Sequence, residues 1–286
     1  GGMFVREKVI KAILDSGENF MSGEQLSKKL GISRTAVWKH INALREEGYN
    51  IESVNKKGYR LAEKPDDILS SENIAYNLPT EFIGKKVIHL DTVGSTNDYA
   101  KEIGNKVSGG TLIISEQQTK GKGRLGRVWK SKSGDGIWMS LIIKPKIEPY
   151  KAPFLTLVAG ASVVKALSNL GVEASIKWPN DIIVHNKKIC GILTELSAEM
   201  ERVNYVVIGI GINIKTIDFP DEIKEKATSL YKEGYKLSRV DIVRQFCIEF
   251  EKLYKGYILD GNKQDTLELC RKYSAIIGKQ VYVIKN

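Results

Sequence analysis

A chain of 286 residues, 42% of them hydrophobic, is long enough for two or three domains, each with its own core. Its formal charge of +10, from 44 Lys and Arg against 34 Asp and Glu, points to an anionic partner such as nucleic acid or a phosphorylated ligand. Cys190, Cys247 and Cys270 make neither a CxxC pair nor a staple framework, and His40, His89 and His185 stand at no zinc spacing, so a reducing compartment is expected and a structural zinc is not.

Gly1 and Gly2 ahead of Met3 read as an appended remnant, and no charged-then-apolar leader follows, which predicts a cytoplasmic protein. Val5, Val9, Ile10, Ile13 and Leu14 stand at helical spacing, and Gly17 ends the run. Ser22 and Gln25 form a capping-box pair ahead of a short second helix, with Leu26 and Leu30 inward and Gly31 as its left-handed terminator. Ser33 then caps a third helix whose apolar stripe is Val37, Ile41 and Leu44, ending at Gly48. Two helices joined this tightly make a helix-turn-helix.

The outer face of the third helix carries Arg34, Thr35, Trp38, Lys39, Asn42 and Arg45, residue types that contact phosphates and base edges. "YNIESVNKKGYRL" predicts a hairpin turning at 55–58, and Lys56 and Lys57 at its tip suit a wing against DNA backbone. With the cap Ser33, these residues are the candidate DNA-binding set. The same shape also serves as a protein-interaction module with a solvated basic face. "AEKPDDILSS", with Pro65, breaks the pattern and closes a winged helix-turn-helix domain at 1–64.

Beyond the break, "KVIHLDTV", "GTLIISEQQ" and "GIWMSLIIKP" predict strands, and a helix is expected from Thr96 to Ile103 after Ser95. A long buried helix is expected over 153–170. Its apolar stretch "FLTLVAGASVVKAL" is interrupted by Lys165 and is shorter than the ~20 residues of a bilayer span, so no membrane partner is expected. "ASIKWPNDIIV", "KKICGILTELSAE" and "NYVVIGIGINI" then read as three strands of an antiparallel meander with helices on one face. The fold class is α+β, with a central mixed, largely antiparallel sheet.

Three stretches carry chemistry. "QQTKGKGRLGRVWKSK", residues 117–132, holds six basic residues and no acidic one. Gly121, Gly123 and Gly126 spell GxGxxG, yet no helical stripe follows to receive a pyrophosphate, and no GxxxxGK[ST] occurs anywhere in the chain. What remains is a flexible loop between strands, in which Lys122, Arg124 and Arg127 supply charge and Trp129 an aromatic face. A phosphate-ligand loop, a nucleic-acid contact and a solvated loop all fit that pattern.

In "KWPNDIIVHNKKICGIL", Asn180 and Asp181 precede a hairpin with Lys187 and Lys188 at its tip. An amide, a carboxylate and a cation this close suit a nucleotide-metal site, Asp181 facing Mg²⁺ or a ribose and a lysine facing phosphate. An ordinary surface hairpin fits as well. Gly209 and Gly211 inside an apolar strand signal close approach of a ligand or another backbone, and Asn213 offers a polar contact at the strand's end.

Taken in order, "GSTND", "GKGRLGR", "KWPND", "KKICGIL" and "GIGIN" resemble the motifs of the biotin-protein ligases. With its winged helix, the chain is similar to the bifunctional type that also represses biotin operons. The resemblance implies two steps: biotin and ATP with Mg²⁺ give biotinyl-5'-AMP, and a lysine of a biotin carboxyl carrier protein takes the biotinyl group. It also implies operator DNA as a partner and a homodimer when adenylate is bound.

Carried over by motif, Lys188, Arg124 and Asp181 are the implied catalytic residues, with Asp181 serving Mg²⁺ through ATP. Spacing alone does not separate Lys188 from Lys187; the resemblance does. Ser95, Thr96, Asn97, Gln118, Gly121, Lys122, Arg124, Lys188, Gly191 and Leu193 are implied for biotin. Arg124, Arg127, Trp129, Asn180, Asp181, Gly209, Ile212 and Asn213 are implied for ATP and the adenylate.

The catalytic domain is then expected over 65–272, and 273–286 begins a small SH3-like β-barrel that is cut short. The chain departs from the usual GRGRxGR loop with Lys120 and Lys122, and lysine lacks arginine's bidentate fork. Two neighbouring functions share these features: a biotin-sensing repressor without efficient ligase activity, and a lipoate-protein ligase, against which the wing domain and the "GKGRLGR" loop argue.

Overall fold

The computed structural model describes residues 5–62 and 67–280, and the chain divides into two compact units, Gly1–Tyr76 and Asn77–Asn286. The first unit contains α1 (Val5–Asp15), α2 (Gly23–Leu30), α3 (Arg34–Glu46), β1 (Ile51–Val54), β2 (Gly58–Leu61) and α4 (Ser71–Ala75). The expected caps form. Ser22 Oγ accepts from Gln25 N at 3.1 Å while Gln25 Oε1 accepts from Ser22 N at 2.7 Å, and Gly31 ends α2 at φ 67°. Each satisfies backbone groups that a helix end leaves open.

The three-helix core of Val9, Ile10, Ile13, Leu26, Val37, Ile41 and Leu44 is fully buried. The hairpin β1–β2 is fastened to it through Met21, which exchanges both backbone hydrogen bonds with Tyr59 at 2.8 and 2.9 Å. Gly58 permits that approach: it sits at φ 110°, and a Cβ there would meet Met21 O at 2.3 Å. The unit extends past the expected boundary at 64, because Ile68 and Tyr76 pack on its core and Tyr49 donates to Ser70 Oγ at 2.7 Å.

The second unit holds β3 (Val87–Val93), α5 (Thr96–Ile103), β4 (Thr111–Gln118), β5 (Gly136–Ile143) and α6 (Phe154–Asn169). It continues through β6 (Ser175–Lys177), β7 (Asp181–Val184), β8 (Lys187–Glu199), β9 (Arg202–Asn213), α7 (Arg239–Asp260) and α8 (Gln264–Lys272). The seven strands lie in the order β3-β4-β5-β9-β8-β7-β6, and only β3–β4, joined through α5, is parallel. The sheet is therefore mixed and largely antiparallel.

Two expectations change in detail. "ASIKWPNDIIV" is two strands, broken at 178–180, where Pro179 has no N–H to give to a ladder. The expected barrel start at 273–286 lies partly outside the described residues; in its described part Tyr273 and Ala275 bond the backbone of Ile176 at the edge of β6, and no barrel closes.

The apolar helix α6 is a core helix. Leu155, Val158, Ala159, Val164 and Leu167 are fully buried, and Thr156 bonds Thr194 of β8 at 2.9 Å. Behind it lies α7, whose Glu251 ties down the start of the unit. The two carboxylate oxygens of Glu251 accept from the backbone N–H groups of Glu81, Phe82 and Ile83 at 2.7 to 2.9 Å.

Burial works to raise the Glu251 carboxyl, but the three N–H donors and Lys255 outweigh it and hold the group below its ordinary value. A depressed carboxylate adds stability that is complete above its unfolded value, roughly 4.3, and fades as pH falls through its folded value. Glu251→Ala should accordingly cost about 2–3 kcal/mol at pH 7 in urea unfolding, and the deficit should shrink as the titration is carried below pH 4.

Candidate active site and candidate nucleic-acid interface

Strand register builds the floor of the site. Cross-strand pairing aligns Ser140 with Gly209 and Leu193, and Trp138 with Gly211 and Gly191. Because side chains alternate, these residues share one face of the sheet, the face opposite α6. Three glycines there leave a shallow trough, and over it lies a cavity of about 620 Å³.

One wall is the start of α5 with its neighbours. Ser95 caps the helix, accepting from Asp98 N at 3.4 Å. Thr96 bonds Gln118 Oε1 through its backbone N–H at 2.8 Å and its hydroxyl at 3.1 Å, and Gln118 Nε2 donates to Ser131 Oγ at 2.8 Å. Asn97 Nδ2 donates to Glu195 Oε2 at 2.8 Å and Leu193 O at 3.3 Å, while its Oδ1 lies 2.6 Å from Ser140 Oγ. Asn97 explains Gly209: a Cβ there would stand 2.2 Å from Asn97 Oδ1. The strand glycine that sequence reads as an approach of ligand or backbone is, in the folded chain, room for this side chain.

The cationic loop crosses above. It is a narrow turn, with Trp129 N donating to Gly121 O at 2.9 Å and Gly123 N to Arg127 O at 2.7 Å. Only a single 3-10 turn, Arg124–Gly126, interrupts it, with Leu125 at φ 57°; no helix follows its glycines. Gly121 is structural rather than lining, since a Cβ would strike Trp129 O at 2.3 Å.

Two contacts fix the loop's arms. Arg124 Nη1 donates to Asn180 Oδ1 at 2.7 Å, and Lys122 pairs with Asp98 at 2.6 Å. The Lys122 contact, with help from Lys101, holds the Asp98 carboxyl below its ordinary value. Leu125 and Val128 at the rim are 89% and 78% exposed.

Trp129 lies in the trough. A Cβ on Gly211 would come within 2.6 Å of its Nε1, and one on Gly191 within 2.8 Å of its Cζ3. Its Nε1 is buried without a hydrogen-bond partner. Lys188 Nζ stands 5.2 Å over the same ring and 2.7 Å from Asp181 Oδ1. Lys188 lines the cavity and Lys187 does not, a distinction that spacing leaves open.

Asn180 is held between strands, its Nδ2 donating to Ile192 O at 3.0 Å, and Asn213 donates to Thr228 O at 3.1 Å. Arg127, Asn180, Asp181, Gly209 and Asn213 all line the cavity; Ile212 is fully buried and does not.

Several residues enter that the sequence did not single out. Ser140 and Glu195 support Asn97 from below, Lys177 lines the wall beside Asn180, and the irregular segment 216–227, with Phe219, Pro220 and Ile223, forms the far rim. A serine inside the apolar run "GIWMSLII" is the one signal that was available for Ser140.

In the first unit, Arg34, Thr35, Trp38 and Lys39 of α3 and Lys56 and Lys57 of the wing are exposed, Trp38 at 54%. A cleft of about 690 Å³ runs between the start of α2, α3 and the wing, and Arg34, Trp38 and Lys56 line it. Asn42 and Arg45 are used internally. The Arg45 guanidinium donates to Ile51 O at 2.7 and 2.9 Å, to Ser53 and to Asn42 Oδ1, tying α3 to β1. Ser33 accepts from Ala36 N at 3.1 Å as the cap.

Residues 5–60 match the profile of an HTH domain, and residues 90–213 match the biotin/lipoate A/B protein ligase family. The class so defined is a DNA-binding module followed by a ligase domain. The bifunctional ligase/repressor BirA of Bacillus subtilis strain 168 is 46% identical over 262 residues, 90% of this chain and 80% of that protein. BirA of Escherichia coli K12 is 38% identical over 230 residues, 80% of this chain and 70% of its own length. The structure of biotin protein ligase from Aquifex aeolicus in complex with biotin and ATP superposes with a TM-score of 0.58 at 32% identity, covering 67% of this chain and 79% of that one. The chain belongs to the biotin/lipoate A/B protein ligase family, in its bifunctional ligase/repressor branch.

The trough geometry makes its own prediction. Gly211→Ala should push the indole of Trp129 off the strands, giving a red-shifted fluorescence component that the Gly211→Ala/Trp129→Phe double variant lacks. Unchanged emission in the single variant would place the indole elsewhere.

Proposed function

We propose that the unit Asn77–Asn286 joins biotin to a lysine of a biotin carboxyl carrier protein through biotinyl-5'-AMP, and that Gly1–Tyr76 binds operator DNA to repress biotin synthesis genes. The observation that carries the reading is the convergence, in one cavity, of an amide and hydroxyl cluster, a cationic loop and the Asp181–Lys188 pair. Together these suit a polar ring at one end, a carboxylate in the middle and a nucleotide at the other.

In this reading Ser95, Thr96, Asn97 and Gln118 take the polar head of biotin, Gly191 and Leu193 line its chain, and Lys122 and Arg124 close over it. A carboxylate oxygen of biotin attacks the α-phosphorus of ATP; the bond from that phosphorus to the bridging oxygen of the β-phosphate breaks, and pyrophosphate leaves. Lys188 offsets the charge gathering on the α-phosphate oxygens, and Asp181 keeps its ammonium aimed. Arg124 and Arg127 serve the phosphates, while Trp129, Asn180 and Asn213 form the nucleotide end; Gly209, beneath Asn97, keeps the biotin end clear, and Ile212 stays buried outside the cavity.

The neutral amine of a carrier lysine then attacks the acyl carbon of the mixed anhydride. AMP departs, and the nitrogen loses a proton to leave an amide. Alignment and charge neutralisation suffice for both steps, so no covalent enzyme nucleophile is required.

The residues fit a magnesium ion that arrives with ATP: Asp181 offers one carboxylate on the phosphate side, and among the described residues no group of three His, Cys, Asp or Glu makes a cage. Bound there, the ion would neutralise charge on the phosphates. A cytoplasmic location and a homodimer formed with adenylate bound, placing two α3 helices on two half-sites, complete the proposal.

Incubation with biotin, MgATP and a biotin-carrier domain should label one carrier lysine, and lipoate should not compete. Absence of transfer by folded protein would leave a biotin-sensing repressor instead. Lys188→Ala should slow adenylate formation by about 10²-fold or more while biotin binding changes little, as measured by pyrophosphate release and calorimetry. On operator DNA, Lys39→Ala in the full chain should weaken binding and reduce the salt-dependence slope by about one.

A further inference from the structure

Asn97 is held by groups that leave its amide only one orientation. Glu195 Oε2 and Leu193 O, which receive the two hydrogens of Nδ2, are both acceptors and cannot bond an amide oxygen. On the other side the fully buried Ser140 Oγ lies 2.6 Å from Oδ1 and 2.8 Å from Thr96 Oγ1, so its one hydrogen serves the nearer Oδ1 or Thr96, and neither arrangement gives Asn97 a hydrogen to spare. With both hydrogens used, the only capacity Asn97 has left is on Oδ1, so it meets a ligand solely as an acceptor. Turning the amide over would set its NH₂ against Gly209 and its oxygen against a carboxylate and a carbonyl.

The second oxygen of Glu195 is also occupied. Lys101 Nζ lies 2.8 Å from Glu195 Oε1 and 3.0 Å from Asp98 Oδ1, and its contact with Glu195 is the main reason its ammonium sits above the ordinary value. Lys101 and Asn97 are four residues apart on α5, so one turn of helix presents both to the same carboxylate. Glu195 reaches them from β8, where it shares the face of Gly191 and Leu193. Glu195 does not line the cavity.

We propose that Glu195 is a positioning residue for biotin recognition: braced by Lys101, it orients the Asn97 amide so that Oδ1 faces the ligand as an acceptor for an N–H of the biotin ring. This rests on the reading of Asn97 as a biotin contact. Glu195 acts on binding of the ring and not on phosphoryl chemistry at Lys188, so its loss is felt in biotin affinity and leaves turnover at saturating biotin alone. Asp98 and Lys122, joined to the same chain of charges through Lys101, connect this orientation to the arm of the loop.

The test measures adenylate formation as a function of biotin concentration in the full chain. Glu195→Ala should raise the biotin KM about tenfold with kcat within twofold of the parent, the scale of one charge-assisted hydrogen bond. Glu195→Gln, which keeps an oxygen for the Asn97 amide, should recover most of that loss and guards against a variant that does not fold. In an Asn97→Ala background, Glu195→Ala should add nothing further.

A KM within twofold of the parent, or an equal additional loss in the double variant, would overturn the positioning role. If instead Asn97→Ala leaves the biotin KM unchanged, the biotin reading of Asn97 is what fails; intact Asn97 dependence with a silent Glu195 removes only the present proposal.

Discussion

The site depends on three glycines that leave one face of the β-sheet bare of side chains at their positions. Gly191 and Gly211 face each other across β8 and β9, and Gly209 sits one pleat further along. A methyl group at any of the three would collide with Trp129 or Asn97. Because that space is kept clear, a loop tryptophan can lie flat on the strands and an asparagine from α5 can reach down to the sheet. Lys188 then rests against the indole, and Asp181 against Lys188. The trough is therefore the common reference for the Asn97 end and the Lys188 end of the cavity alike.

Above that floor, each polar group is placed by an element of regular structure. The helix α5 presents Thr96 and Asn97 from its first turn, β4 ends in Gln118, β5 supplies Ser140, and the β7–β8 pair carries Asp181 and Lys188, with Asn180 in the turn before β7 bonded to the backbone of Ile192. The loop is the exception, held at separate points by Arg124, Lys122 and the indole of Trp129. Such a division suits a site that must bind one small molecule, admit a nucleotide, and then expose a reactive mixed anhydride to another protein.

The first sixty residues are legible from sequence because their determinants are local: caps at Ser22 and Ser33, Gly31 in the left-handed region, and an apolar stripe at helical period. Arg45 escapes such reading, since nothing in a helical pattern tells which outward arginine will be drawn in by the carbonyl of Ile51. In the catalytic unit, motif order brings out most residues of the cavity, including the choice of Lys188 over Lys187. Ser140 and Glu195 stay hidden because a strand alternates faces without saying which face holds the site. The rim at 216–227 has neither motif nor period, and only the fold carries it to the cavity.

The anchoring of the cationic loop has a consequence for how solution conditions reach the site. Its arm at Lys122 is held by an ion pair with Asp98 whose members are substantially exposed, whereas its middle is seated by an indole against glycines. Dissolved ions screen the first kind of contact, and excluded salts strengthen the second. At equal ionic strength chloride and sulfate therefore loosen the edge alike, and sulfate alone also presses the centre onto the sheet.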